Sequence, residues 1–353
     1  MRLIRKIIRT FLLDPFSQYM YARRLKKEVS LKRQGTRLAF IIATPEHGNL
    51  GDQAIVICER NILEENGFRN RIVEITNSEY YKYSKQISKY INHNDLIVID
   101  GGGNLGTLWP WEDDKITNII DEYADNSILI FPQTCFYSND ELGKTRLVRN
   151  VRVYQKAKDL TITLRDKASF DFCKANFPSN VSLYLVPDIV LSMSLFVQDE
   201  KRKQRNGVLL CFRNDRERVV TPSMVTSLSQ LLSGLDLPLS ETSTLVDGYV
   251  GSINRELLLK EKLKEFESKE LVITDRLHAM IFAYITNTPC IAFDNLSNKI
   301  SGVYDAVGGL QNILISKNSN ITEEQIRKYL FKGGVKNKFD YLLFHNLISK
   351  IAK

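Results

Sequence analysis

The sequence predicts an α/β protein built from two Rossmann-like domains, with mostly parallel sheets that face a cleft. Three observations carry that expectation. The chain has 353 residues, too many for one ordinary hydrophobic core, and two domains of roughly 150–200 residues each are the usual solution. Apolar residues make up 43% and charged residues 25% of it, which is the composition of a soluble globular protein and not of a disordered one. Short apolar runs alternate with helical stretches in two sets, the rhythm of a doubly wound sheet.

In chain order, Arg37 to Ala43, Arg71 to Thr76, Asp95 to Asp100, Ser127 to Gln133 and Leu160 to Leu164 read as strands, with helices over 52–66, 78–91, 115–124, 139–157 and 166–176. These make an N-terminal domain over 37–196. The polar segment VQDEKRKQRN marks a linker over 197–206. A second domain over 207–320 starts with the strand Gly207 to Phe212. A helix near 222–234, a strand at 241–247 and a helix at 253–268 follow, then strand, helix and strand from Leu271 to Asp294. Residues 321–353 read as C-terminal helices, the first opened by a capping box of Thr322 and Gln325, the second carrying Tyr341, Leu342, Phe344 and Ile348. Leu277 to Phe293 is a long uncharged run, but His278, Asn287 and Pro289 within it predict helix, turn and strand instead of a membrane span.

The net charge of +8 is local. Residues 1–37 hold eleven Lys or Arg against Asp14 and Glu28, a net +9, so the other 316 residues come to −1. In this basic arm (1–36), Leu3, Ile4, Ile7, Ile8, Phe11 and Leu12 recur at helical spacing while Arg2, Arg5, Lys6 and Arg9 take the other face. Such a helix suits an anionic membrane surface, or else docks on the protein itself. Nucleic acid is not an expected partner, because no basic stripe with interleaved aromatics follows. The start carries charges where a signal peptide is apolar, and no small-residue cleavage site follows, so the expected location is cytoplasmic, on or near the inner membrane face. Cys58, Cys135, Cys173, Cys211 and Cys290 lie in apolar surroundings without C-x-x-C spacing and read as buried, reduced thiols.

Ligands of parallel sheets bind at the carboxyl ends of strands, so the segments that follow each strand matter most. After the first comes TPEHGNLGDQAI, where Gly48 and Gly51 free the backbone, Asn49 can cap and Asp52 opens a helix; a tight turn and an anion-binding turn both fit. After the third comes DGGGNLG, with Gly101, Gly102, Gly103 and Asn104. Three successive glycines cost backbone entropy and imply that something approaches closely. A G-x-G-x-x-G fingerprint after the first strand and a P-loop are both absent, so a dinucleotide-dependent oxidoreductase fits poorly.

The stretch LVITDRLHAMIFAY, Leu271 to Tyr284, is odder. With Asp275 as N-cap, Arg276 and His278 fall in the first helical turn, where cations are penalised by roughly 0.3–1 kcal/mol. Arg165 follows the fifth strand in TLRDKAS, with Asp166 and Ser169 in the next helix's first turn, and FDNLSNKISG presents Asn298 and Lys299. Each cation alone is ordinary. Arg165, Arg276, His278 and Lys299 together, at the carboxyl edges of two domains, indicate a site for a small, highly charged anion.

HGNLGDQAI, IDGGGNLG, FPQT, LRDKAS, VPDIVL, TDRLHAMIFA and NKISG, in that order over about 46–305, resemble the motifs of the polysaccharide pyruvyl transferase family. The resemblance implies two Rossmann-like domains in a GT-B-like arrangement. It also implies transfer of pyruvate from phosphoenolpyruvate to two hydroxyls of one sugar, giving a cyclic ketal and phosphate. The arginine of the family's R-D-x-x-S motif, the histidine of R-L-H and a later basic residue hold the donor, and these match Arg165, His278 and Lys299. The basic arm lies outside the shared motifs.

With that donor, the misplaced cations make sense: the helix end that penalises Arg276 and His278 in the empty protein favours them once the anion arrives. His278 is the expected general acid, its pKa lowered by the helix end and raised by bound phosphate; Asp52 and His47 stand next in line. Arg165 suits the carboxylate as a bidentate fork and Lys299 the phosphate as a point charge. Arg276 either joins them or pairs with Asp275. No metal or cofactor is expected beyond the co-substrate, and the acceptor is a lipid-linked or nucleotide-linked oligosaccharide. Two rivals are a GT-B glycosyltransferase using a nucleotide sugar and a non-catalytic module that binds an anionic glycan. Heat protection by phosphoenolpyruvate or by a nucleotide sugar separates the two enzymes, and protection without turnover marks the module.

Overall fold

A computed structural model of the chain describes residues 15–195, 205–215, 217–235, 237–294, 298–316, 321–330 and 342–351. The first sheet contains β1 (Ala39–Thr44), β2 (Ile72–Thr76), β3 (Leu96–Ile99), β4 (Gly102–Gly106), β5 (Ser127–Phe136), β6 (Asp159–Leu164) and β7 (Val181–Leu185). Its order is β2-β1-β3-β5-β6-β7, with β4 added on β5, and all pairs are parallel. The second sheet contains β8 (Val208–Cys211), β9 (Leu239–Glu241), β10 (Leu271–Thr274), β11 (Cys290–Phe293) and β12 (Ile313–Ser316), ordered β12-β11-β10-β8-β9, again parallel. These are the two Rossmann-like units. β1, β3, β8 and β10 are buried along their whole length, as strands covered on both faces must be.

The topology fixes where a ligand sits. In the first sheet the chain lays β2 on one side of β1 and β3 on the other; in the second, β9 and β10 flank β8 in the same way. A crevice opens at the carboxyl ends where strand order reverses. The segments over these two switch points are those after β1 and β3 in one domain and after β8 and β10 in the other.

The helices are α1 (Pro15–Arg33), α2 (Leu50–Leu63), α3 (Asn77–Ile87), α4 (Pro110–Glu122), α5 (Glu141–Tyr154) and α6 (Lys167–Asn176), then α7 (Pro222–Ser233), α8 (Arg255–Glu267), α9 (Leu277–Ile285), α10 (Lys299–Ala306), α11 (Glu323–Leu330) and α12 (Leu342–Ile351). α1 is docked: Tyr21, Leu25 and Val29 are buried, Tyr21 stacks on Tyr83 at 4.0 Å, and Arg33 grips Asp95 at 2.9 and 2.7 Å. α12 returns to the first domain, where Phe344 stacks on Phe131 of β5 and His345 meets Asn66 at 2.8 Å. One apolar cluster runs from Ile41 and Phe131 to Val272 and Phe282, so the two domains share a core.

The expected strands and helices of both sets are present with shifted ends, and the Thr322–Gln325 capping box forms in both directions. All five cysteines are buried and free. Three readings are corrected. The strand expected over 241–247 is Leu239–Glu241, because the chain then leaves the sheet so that Leu245 can bridge to Asn49 of the other domain. The glycines after β3 are not purely a loop, since Gly102–Gly106 forms β4 on β5. β7 and β12 complete the sheets without having been expected. The apolar positions of the arm before residue 15, residues 197–204 of the linker, and Tyr341 lie outside the described residues.

Candidate active site

The two domains meet backbone to backbone. Leu50 N donates to Thr244 O at 2.9 Å, Val246 N donates to Gly48 O at 2.9 Å, and Gln53 Nε2 reaches Val250 O at 3.1 Å. A Cβ on Gly48 would overlap the Val246 carbonyl, and one on Gly51 would overlap the His278 ring. These glycines therefore admit the opposite domain. Asn49 caps α2 through Gly51 N at 3.1 Å and holds Asp52 at 2.8 Å, as expected.

Beneath this seam lies a cleft of about 570 Å³, lined by Gly48, Asn49, Asp52, Gly102, Gly103 and Asn104 from the first domain's loops and by Arg165, Arg276, His278 and Lys299. The topology brings all four predicted cationic groups together. Gly101 and Gly51 stand behind the lining. Gly101 N donates to Glu59 Oε1 at 2.8 Å, and a Cβ there would lie 2.8 Å from Pro132 O.

Asp166 caps α6 by accepting from Ser169 N at 2.7 Å, which leaves Arg165 at the end of β6 pointing inward, 3% exposed. Its Nε donates to Thr134 Oγ1 at 3.0 Å and its Nη1 to Asp188 Oδ2 at 2.8 Å. Asp188 also accepts from Val190 N at 2.9 Å. Lys299 is the first residue of α10, behind Asn298 in the left-handed region (φ 52°). Its ammonium lies 3.3 Å from both oxygens of Glu217, and burial brings it down to about 8 despite that partner. A Cβ on Gly103 would sit 2.6 Å from Lys299 Nζ and 3.5 Å from Arg165 Nη2. The close approach that the glycine run implied is that of the protein's own cations.

Asp275 is not the N-cap of α9. The cap is Arg276 (φ −107°, ψ 127°), with Leu277 and His278 as the first two helical residues. Asp275 is wholly buried and turns sideways to accept Arg213 N of the β8 segment at 2.7 Å; burial raises its pKa. A buried carboxylate takes the stronger offer, and the neighbouring strand's N–H was not visible in the local sequence. Nor does Arg276 bond to Asp275: Nε donates to Phe212 O at 3.2 Å and Nη1 to Thr244 Oγ1 at 3.3 Å.

His278 has the unfinished valence of the site. Its ring packs against Gly51 and lies 6.4 Å from Phe282, and its Nε2 is buried with no hydrogen-bond partner. Burial, more than any other cause, holds its pKa below the ordinary value; Asp188 then pulls it up and Arg165 pushes it down. The helix end invoked from sequence is not the leading cause. A neutral imidazole with an orphaned nitrogen thus shares the cleft with Arg165, Arg276 and Lys299.

Several contributors were missed. Asp188 lies in VPDIVL, where a lone charge among apolar residues was the available signal. Arg213 and Glu217 follow the strand Gly207 to Phe212 in a stretch rich in charges, and Thr244 lies in the segment read as a strand over 241–247. Trp109 donates from Nε1 to Glu217 Oε1 at 3.1 Å, so Glu217 links the first domain's α4 end to Lys299.

The family model described as polysaccharide pyruvyl transferase matches residues 49–298. The chain is 30% identical over 270 residues to general stress protein 30 of Bacillus subtilis, covering 76% of this chain and 77% of that one. It is 26% identical over 274 residues to pyruvyl transferase 1 of Schizosaccharomyces pombe, covering 74% and 67%. An uncharacterized protein of Klebsiella pneumoniae, 18% identical, shares the fold with a TM-score of 0.53 over 85% of this chain and 99% of its own.

Proposed function

The chain belongs to the polysaccharide pyruvyl transferase family, and on that premise we propose that it moves pyruvate from phosphoenolpyruvate onto two hydroxyls of one sugar in an exopolysaccharide or cell-wall glycan precursor. The observation that supports this reading is the orphaned His278 Nε2 among Arg165, Arg276 and Lys299. Phosphoenolpyruvate carries a carboxylate and a phosphate on three carbons, and its methylene carbon must gain a proton before C2 becomes electrophilic.

Lys299 serves the phosphate as a point charge. Arg165 has Nε and Nη1 committed to Thr134 and Asp188, so it meets the donor from Nη2, a narrower grip than the free fork expected from sequence. His278 is neutral when the cleft is empty; the incoming dianion raises its proton affinity and arms it at the moment of binding. It protonates the methylene carbon, the first hydroxyl adds to C2, phosphate departs from C2 and the second hydroxyl closes the ketal. Of the two hydroxyl protons released, one replaces that given by His278 and the other leaves with phosphate.

The test is incubation with phosphoenolpyruvate and candidate lipid-linked or nucleotide-linked sugars. The expected result is phosphate release that requires the acceptor. Turnover with a nucleotide sugar and none with phosphoenolpyruvate would assign the cleft to a glycosyltransferase instead, and protection by a glycan without turnover to a binding module.

We also propose that the protein works at the inner membrane face. No helix among the described residues is long and apolar enough to cross a membrane. α1 exposes Phe16, Tyr19 and Met20 beside Arg23, Lys26 and Lys27, a mixture suited to an anionic interface. Because Tyr21, Leu25, Val29 and Arg33 anchor α1, the informative truncation removes only residues 1–14, with Arg2, Arg5, Lys6 and Arg9. At about 1 kcal/mol per cation, binding to anionic vesicles should drop by about tenfold or more. An unchanged bound fraction in flotation at low and high salt refutes the proposal.

A further inference from the structure

Beside the cations, the same cleft has a different chemistry. Trp109 and Trp111 stand at the start of α4, their rings 5.4 Å apart at 74°. Trp109 is pinned by Glu217, the residue that also holds Lys299, so this wall is one side chain away from the donor-binding ammonium. Trp111 is 55% exposed, although it lines a concave cleft where a buried indole would be the more stable arrangement. Asp52, Asp100 and Asp247 line the cleft with it. Lys115 pairs with Glu112 at 2.5 Å and also acts on Asp100, and the His47 ring lies 3.7 Å from Asp52. Burial pushes the Asp100 carboxyl up to about 7, so near neutrality it can both accept and donate a hydrogen bond.

An apolar plate flanked by hydroxyl-binding carboxylates suits a pyranose, which has one apolar face and a rim of hydroxyls. We infer that this wall is the acceptor subsite, and that it takes a neutral sugar ring stacked on Trp111 with hydroxyls turned toward Asp52 and Asp100. The inference rests on the pyruvyl-transfer reading and adds the acceptor's class: the ring that receives pyruvate carries no uronate or phosphate of its own. A negative group there would face Asp52 and Asp247, and like charges brought together are rejected strongly. The division also keeps the anionic donor on its own wall, so that one cleft sorts two substrates by charge.

The chain has two tryptophans and both are in this cleft, so intrinsic fluorescence of the full-length protein reports on this site alone. The probes are the methyl glycosides of glucose, galactose and mannose, methyl glucuronide, and separately phosphoenolpyruvate by heat protection. Saturable quenching by at least one neutral glycoside is expected, with methyl glucuronide weaker by about tenfold or more. Trp111→Ala should weaken the neutral glycoside by about tenfold, read from Trp109, and Trp111→Phe should restore much of it. Both variants should keep protection by phosphoenolpyruvate, which shows that the fold and the donor wall survive. Equal binding of glucuronide, no quenching by any neutral glycoside, or unchanged affinity in Trp111→Ala overturns the subsite. Sugar binding through Trp111 in a wild-type protein that phosphoenolpyruvate fails to protect keeps the subsite and overturns the donor reading.

Discussion

Replacing His278 with glutamine is expected to lower turnover by about 10²–10⁴-fold while leaving the fold intact and donor affinity much less affected. Glutamine can occupy the second position of α9 and offer an amide where the imidazole has Nε2, so the packing against Gly51 and Phe282 is largely kept. It cannot deliver a proton to carbon. The measurement is kcat and the donor dissociation constant, together with proton uptake on mixing with phosphoenolpyruvate. Wild-type protein should take up a proton near neutral pH, because burial keeps the empty-site imidazole neutral and the dianion raises its proton affinity. The variant should not. If turnover stays within a few-fold of wild type, His278 is a satisfied core residue and the acid is elsewhere. If rate and binding drop by the same factor, His278 holds phosphate without moving the proton, and Asp52 and His47 become the candidates.

That expectation stands on a residue that the sequence singles out without showing its surroundings. The oddity of two basic groups at a helix start pointed to His278 and Arg276 without any structure, since an arrangement that electrostatics penalises needs a partner. The geometry of that start was not legible. Asp275 has the local credentials of an N-cap, and nothing in LVITDRLHAMIFAY says that Arg213 N lies 2.7 Å from its carboxylate. Caps are read over four residues, whereas this competition is between strands 62 residues apart.

The same division runs through the fold. β1, β3, β8, β10 and β11 are apolar runs buried on both faces and identify themselves. β4 is GGNLG, which no strand propensity favours; it forms because β5 continues past the ends of its neighbours and offers a free edge. Glu217 sits in a stretch rich in charges, RNDRER, where a solvated surface is the ordinary reading, yet its side chain is 1% exposed and ties Arg213, Lys299 and Trp109 together. What the sequence hides at this site is the set of residues that orient the predicted ones.

Arg165 shows how much that matters, and Arg165→Lys is the second large effect expected. Charge is preserved and the site is 3% exposed, so a reading by charge alone predicts little change. The guanidinium points in three directions: Nε to Thr134, Nη1 to Asp188 and Nη2 toward Gly103, the side proposed for the donor. An ammonium has no planar fork and a shorter reach, so it can satisfy Asp188 or the donor but not both. Asp188 wins, because leaving a buried carboxylate unpaired costs about 3–5 kcal/mol. The donor then loses one preorganised charged contact, and kcat/KM for phosphoenolpyruvate should drop by about 10²–10³-fold. Stability should change little in the lysine variant, whereas Arg165→Met, which strands Asp188, should lower the melting temperature sharply. The comparison separates the two roles: if lysine restores stability but not donor use, Arg165 belongs to the donor site as well as to the core. Wild-type kinetics in the lysine variant would reduce Arg165 to the partner of Asp188 and leave the donor to Lys299 and Arg276.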